Sequence, residues 1–152
     1  MKNKLYIAYG SNLNLRQMAL RCPNAKPVGK SMLKDWQLTF RGVATLEQKN
    51  GSETPIGVWE ITAEDEKTLD RYEGYPRLYR KENLEIEMNG VKHQAMIYLM
   101  NDGLPSMPTK WYLDAIAQGY EDIGLDTTHL AKALEHTKER MKEKNVKGEK
   151  HG

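Results

Sequence analysis

Residues 84–88, Leu-Glu-Ile-Glu-Met, alternate apolar with acidic side chains, the sharpest period of two in the chain. Successive side chains of a strand point to opposite faces, so this pattern demands a strand with one face on a core and the other in water. Asn89-Gly90 follows at once, and that dipeptide takes the left-handed backbone a two-residue hairpin turn requires. His93 to Met100 supplies the returning strand. A hairpin with one dry face must be covered by other segments of the chain.

Leu5-Tyr6-Ile7-Ala8-Tyr9 is a short apolar run ending at Gly10, which suits a buried strand. Gly10-Ser11-Asn12 reads as a tight loop, and Leu15, Met18 and Ala19 then recur at helical spacing until Pro23 stops the helix. Asn14 and Gln17 have the spacing of a capping box. The stretch from Val28 to Ile61 is β-like, with Asn50-Gly51 as a turn before Ile56-Gly57-Val58-Trp59. Thr62 and Asp65 open a helix that runs to about Glu73, with Leu69 and Tyr72 facing inward and Gly74 ending it. Thr109 caps a further helix with Gly119 near its end, and Leu130, Leu134, Thr137 and Met141 form one inward stripe on the last. Strands on short turns with helices inserted irregularly make an α+β chain: a small closed or strongly curved mixed sheet with flanking helices. Residues 1–141 read as one domain and 142–152 as a charged flexible tail.

Composition narrows the function classes. At 152 residues, 39% hydrophobic and 29% charged, the chain is of ordinary globular type. Its apolar runs fall far short of the ~20 residues that span a bilayer, and Leu5–Tyr9 is too short for a secretory segment, so a cytoplasmic protein without membrane partner is expected. Cys22 is the single cysteine, which removes internal disulfides and thiolate zinc sites. The net charge of +2 is uneven: Lys132 to Gly152 carries seven Lys or Arg against four Glu, leaving the rest slightly acidic. The body is therefore no platform for nucleic acid, and the tail has no aromatic residues on which bases could stack.

Three segments can carry chemistry. A strand running through Tyr9-Gly10-Ser11-Asn12-Leu13 into a helix points several N–H groups at one place, which suits a carboxylate or other anion, although an ordinary strand-to-helix turn looks the same. Gly10 is expected where the backbone approaches a ligand closely or takes positive φ. Glu73 closes a helix, facing the negative end of its dipole, with Tyr72 and Tyr75 as aromatic neighbours that could exclude water. Both effects raise a carboxyl pKa toward that of a useful base, against the plainer reading of a solvated glutamate. Tyr112 in Pro108-Thr109-Lys110-Trp111-Tyr112 either presents its hydroxyl to a ligand or packs in the core. His129 and His136 are seven apart on one helix and read as solvated rather than as metal ligands.

Taken together, these segments resemble the γ-glutamylcyclotransferase family, also called AIG2-like. The resemblance rests on Tyr9-Gly10-Ser11-Asn12-Leu13, Arg21-Cys22-Pro23, Gly57-Val58-Trp59, Leu69-Asp70-Arg71-Tyr72-Glu73-Gly74, Tyr79, and Pro108-Thr109-Lys110-Trp111-Tyr112 followed by Gly119, and it spans about residues 5–125. It implies a small β-barrel with peripheral helices, Glu73 as the acid/base residue, the Tyr9–Leu13 loop as the substrate site, and Tyr79 and Tyr112 as pocket tyrosines. Thr109 stands where that family often has Ser. The implied reaction cyclises a small γ-glutamyl substrate to 5-oxoproline and needs neither metal nor cofactor. A domain of the same fold that binds a γ-glutamyl-like ligand or partner without turnover is the rival reading. The leaving amine and the oligomeric state stay open at this stage.

Overall fold

The computed structural model describes residues 3–151, with side chains described through residue 143. The alternating segment is half of β4 (Tyr79–Met88), which pairs antiparallel with β5 (Val91–Met100) from Tyr79↔Met100 to Met88↔Val91. Asn89 and Gly90, both at positive φ, make the turn. β1 (Lys4–Ala8) runs parallel to β5 and antiparallel to β3 (Val43–Ile61), which pairs in turn with β2 (Lys26–Arg41). The resulting sheet is five-stranded and mixed, in the order β2-β3-β1-β5-β4.

This sheet is strongly curved but not closed. Its edges, β2 and β4, meet through a side chain, Ser31 Oγ donating to the Glu87 carbonyl at 2.6 Å, and among the described residues no ladder joins them. The architecture is therefore the curved sheet of the α+β expectation and not the closed barrel that the family resemblance implied. Both faces of the central strands β1 and β5 are covered: Ile7, Ile97 and Leu99 are fully buried, and Tyr6, Met96 and Tyr98 nearly so.

Helices α1 (Leu15–Arg21), α2 (Ala63–Glu73), α3 (Lys110–Ile123) and α4 (Thr128–His151) flank the sheet. Thr62 and Asp65 form a full capping box on α2, each side chain meeting the other's backbone N–H. Asn14 caps α1 by accepting from the Gln17 N–H, but the return bond is missing because the Gln17 side chain is held by Arg21. Of the three apolar residues expected to face inward from α1, only Met18 is buried; Leu15 and Ala19 are exposed. On α4, Leu130 and Thr137 are buried, and Thr137 Oγ1 accepts the Phe40 N–H at 3.1 Å, fastening the helix to β2.

Two glycines do other work than their sequence context suggests. Asn50-Gly51 is not the hairpin turn between β2 and β3; the chain reverses at Gly42, φ 80°. Gly51, φ 87°, sits in a bulge opposite Asp35, whose carboxylate accepts the Gly51 N–H, so its positive φ serves a bent ladder. Gly119 does not end α3 either; Gly124, φ 80°, does. The α4 backbone is helical past Lys142, and the side chains of the expected tail lie largely outside the described residues.

Candidate active site

Glu73 is the last residue of α2, and Gly74 in the left-handed region, φ 66°, turns the chain away immediately after it. The side chain enters a cleft lined by Tyr6, Tyr9, Gly10, Ser11, Tyr79 and Tyr98. Burial among these rings raises the Glu73 carboxyl to about 7, while the nearby Arg21 charge pulls the other way. The neighbours expected to desolvate it, Tyr72 and Tyr75, are instead partly exposed at the rim; the wall tyrosines come from β1, β4 and β5. Tyr72 is thus not the inward-facing helix residue its spacing predicts.

The wall hydroxyls are occupied within the fold. Tyr9 donates to the Tyr98 carbonyl at 2.6 Å, Tyr79 donates to the Ala44 carbonyl at 2.8 Å, and Tyr112 accepts the Ala44 N–H at 3.1 Å. Tyr98 donates to Asp70, which Lys81 also binds. Burial pushes Tyr6, Tyr9, Tyr79, Tyr98 and Tyr112 above the ordinary tyrosine value, so none of them is a phenolate near neutrality. Cys22 is buried and pushed up to about 11, which leaves a thiol and no nucleophile. Of the titratable groups lining the cleft, the Glu73 carboxyl is the one raised to about 7. Among the described residues no three His, Cys, Asp or Glu side chains are grouped to hold a metal ion.

Of the Tyr9–Leu13 loop, Tyr9, Gly10 and Ser11 line the cleft, whereas Asn12 and Leu13 do not. Ser11–Leu13 form a single 3-10 turn closed by Leu13 N–H to the Gly10 carbonyl and Asn14 N–H to the Ser11 carbonyl. The Ser11 and Asn12 N–H groups precede the first donor of that turn, Leu13, and find no partner inside it. Asn12 is consumed structurally: it donates to the Tyr6 hydroxyl, accepts from Arg21, and its carbonyl accepts from Trp59 Nε1. Leu13 is fully buried, a Cβ at Gly57 falling 2.9 Å from its Cδ2. Gly10 has φ −129°, outside the left-handed region, so the second half of its expectation fails. A Cβ there would lie 3.2 Å from Ala44 Cβ and 3.4 Å from the Tyr112 hydroxyl, so the crowding at this position is against β3 and α3 of the protein itself.

Of the residues singled out from sequence, Glu73, Tyr9, Gly10, Ser11 and Tyr79 converge on one cleft, while Tyr112 stands just behind Gly10. Tyr6, Ala44 and Tyr98 were not foreseen. Tyr6 lies in a run that reads only as core, and Tyr98 faces Glu73 through strand pairing, for which no local signal exists. Two more residues adjoin the lining: Tyr72 Oη lies 3.0 Å from Ser11 Oγ, and the Arg21 guanidinium lies 3.8 Å from the Tyr72 ring centroid. In this conformation the cleft volume is about 20 Å³, room for roughly one water molecule.

The cleft thus sets a carboxyl raised to about 7 among tyrosine rings and beside the glycine turn, on a curved α+β sheet. The profile of one family, described as gamma-glutamyl cyclotransferase, AIG2-like, matches residues 6–117, and the chain belongs to that family. A human gamma-glutamylcyclotransferase is 29% identical over 135 residues, covering 80% of this chain and 72% of that protein. The mouse gamma-glutamylcyclotransferase gives the same identity and coverage. A solved structure of a gamma-glutamyl cyclotransferase superposes with TM-score 0.78 at 26% identity, over 87% of this chain and 86% of the other.

Proposed function

We propose that this protein is a γ-glutamylcyclotransferase that closes a small γ-glutamyl substrate to 5-oxoproline, with Glu73 moving the protons. The observation that carries the reading is the Glu73 carboxyl, raised to about 7 by burial beside the glycine turn. Family membership supports the reaction class.

The chemistry asks little beyond what the cleft offers. The substrate carries its own nucleophile, the α-amino group, so folding it against the γ-carbonyl closes a five-membered lactam and positioning supplies much of the acceleration. Glu73 takes the proton that the α-nitrogen must lose on forming the new C–N bond. It then gives that proton to the departing nitrogen as the old amide bond breaks, and the products are 5-oxoproline and a free amine. A carboxyl near 7 can both accept and return a proton at neutral pH. The N–H groups of Ser11 and Asn12 suit the substrate α-carboxylate. Since the cleft admits only about a water molecule as it stands, the substrate enters when the Tyr72–Ser11 contact opens.

Incubating the purified protein with a panel of γ-glutamyl amino acids, γ-glutamyl amines and ε-(γ-glutamyl)lysine, and assaying 5-oxoproline, tests the reading. Release from at least one class is expected. A panel with no product would leave a binding domain on the same fold.

A further inference from the structure

Arg21, at the end of α1, is half-buried and turned back over the glycine loop. Nη1 donates to Asn12 Oδ1 at 2.6 Å, Nη2 donates to Gln17 Oε1 at 2.9 Å, and the guanidinium plane covers Tyr72. All three partners are neutral, and among the described residues Arg21 joins no salt bridge. A half-buried cation held only by amides and a ring retains its field for whatever anion is nearest.

Tyr72, whose ring the guanidinium covers, directly precedes Glu73 at the end of α2, and this brings the charge to bear on the Glu73 carboxyl. The groups facing it from the packed elements are phenols: Tyr6 of β1, Tyr9 just beyond, Tyr79 of β4, Tyr98 of β5 and Tyr112 of α3. On its own helix, Asp70 is already neutralised by Lys81 and bonded by Tyr98. Arg21 is the cation that acts on Glu73. It also binds both halves of the site, since Asn12 belongs to the loop and Tyr72 to the final turn of α2.

We propose that Arg21 is a positioning residue for the proton transfer: its fork locks the loop to the last turn of α2, and its charge keeps the Glu73 carboxylate available as a base. The inference rests on Glu73 being the proton-transfer group. Burial alone drives that carboxyl upward, and the Arg21 charge opposes it. Without the guanidinium, Glu73 would hold its proton to higher pH, and less of the enzyme would carry the base at neutrality.

The test follows the side-chain carboxyl carbon of Glu73 by NMR through a pH titration of the full chain, the signal being assigned by its loss in Glu73→Gln. The midpoint should move up in Arg21→Gln and stay near the wild-type value in Arg21→Lys, which keeps the charge. In parallel, kcat/KM of Arg21→Gln should fall further at pH 6 than at pH 9, tenfold for each unit the midpoint moves. Equal losses at both pH values would reduce Arg21 to a structural clamp, and an unmoved midpoint would overturn the proposal. If Arg21→Gln does not fold, Arg21→Met, which keeps the apolar stem but removes the charge, carries the same titration: the Glu73 midpoint should rise, and an unmoved midpoint overturns the proposal. A midpoint that shifts in a protein releasing no 5-oxoproline would sink the assigned reaction and leave this coupling standing.

Discussion

Gly119 of α3 lies directly beneath Leu13 of the glycine turn: a Cβ at position 119 would fall 2.7 Å from the Leu13 carbonyl carbon and 2.7 Å from the Asn14 nitrogen. Those atoms are backbone and cannot rotate away, so α3 and the turn must separate to admit even a methyl group. Gly119→Ala is expected to cost about 1–3 kcal/mol through overpacking, although alanine is the better helix former. The same separation lifts the Ser11 and Asn12 N–H groups away from Glu73. Urea denaturation should show a lower midpoint, and kcat/KM should drop by more than the small unfolded fraction explains. Unchanged values of both would show that the contact carries no strain.

The rim gives an independent prediction. Tyr72 Oη meets Ser11 Oγ at 3.0 Å, and the cleft beneath has room for about one water. A closed conformer that excludes substrate reduces apparent affinity by the fraction of molecules that are open. Tyr72→Phe keeps the ring under Arg21 but removes the hydroxyl, whose bond is worth about 0.5–1.5 kcal/mol. KM should therefore fall by roughly twofold to tenfold, with little change in thermal stability because Tyr72 is 43% exposed. A KM that rises instead would make the hydroxyl a substrate contact.

What could be foreseen from sequence follows from the range of the interactions involved. The β4–β5 hairpin, the Thr62–Asp65 box and the placing of Glu73 at a helix end are settled within a few residues, and period, cap chemistry and Gly74 suffice to reveal them. Asn50-Gly51 shows where local signals fail: the dipeptide supplies positive φ, but the long β2–β3 ladder decides that it serves a bulge. Gly119 looks like a helix end until α3 is seen against Leu13. Tyr98 and Tyr6 reach the Glu73 cleft only through strand order, and Arg21 reaches Tyr72 beside Glu73 only through the packing of α1, relations that no short window contains. Glu73 itself was legible, whereas the agents of its desolvation were not.

The last helix is docked through Thr137, and the stretch beyond Lys142 is expected to be dispensable. Thr137 is fully buried, with Oγ1 accepting the Phe40 N–H and donating to the Ala133 carbonyl. Thr137→Val preserves shape but leaves the Phe40 N–H unpaired, at a cost of about 1–3 kcal/mol. Truncation after Lys142, by contrast, removes only chain beyond Thr137 and beyond Arg140, which pairs with Glu47 of β3. We expect that truncation to leave Tm and turnover nearly unchanged while Thr137→Val lowers Tm. A large Tm loss on truncation would place part of the fold's stability in residues 143–152.

Glu73→Gln tests the chemistry and has a stability signature of opposite sign. Glutamine keeps the size of the side chain but cannot accept the α-nitrogen proton, so turnover should fall by on the order of 10²–10⁴. In the wild type, kcat/KM should rise with pH through an apparent pKa near that of Glu73, about 7, and this limb should vanish in the variant. The carboxyl is raised on folding from about 4.5 to about 7, so the folded state prefers its neutral form. Its stabilising effect is complete below the unfolded pKa and is lost as pH climbs through 7, above which the buried charge works against the fold. The glutamine of the variant carries no such charge, so Glu73→Gln should be more stable than wild type at pH 8, by at most on the order of 3 kcal/mol. The gap should close as pH falls toward 4.5. Denaturant midpoints across pH 4–8 would show it, and a variant that keeps full turnover, or whose stability tracks the wild type at every pH, would remove Glu73 from the centre of the site.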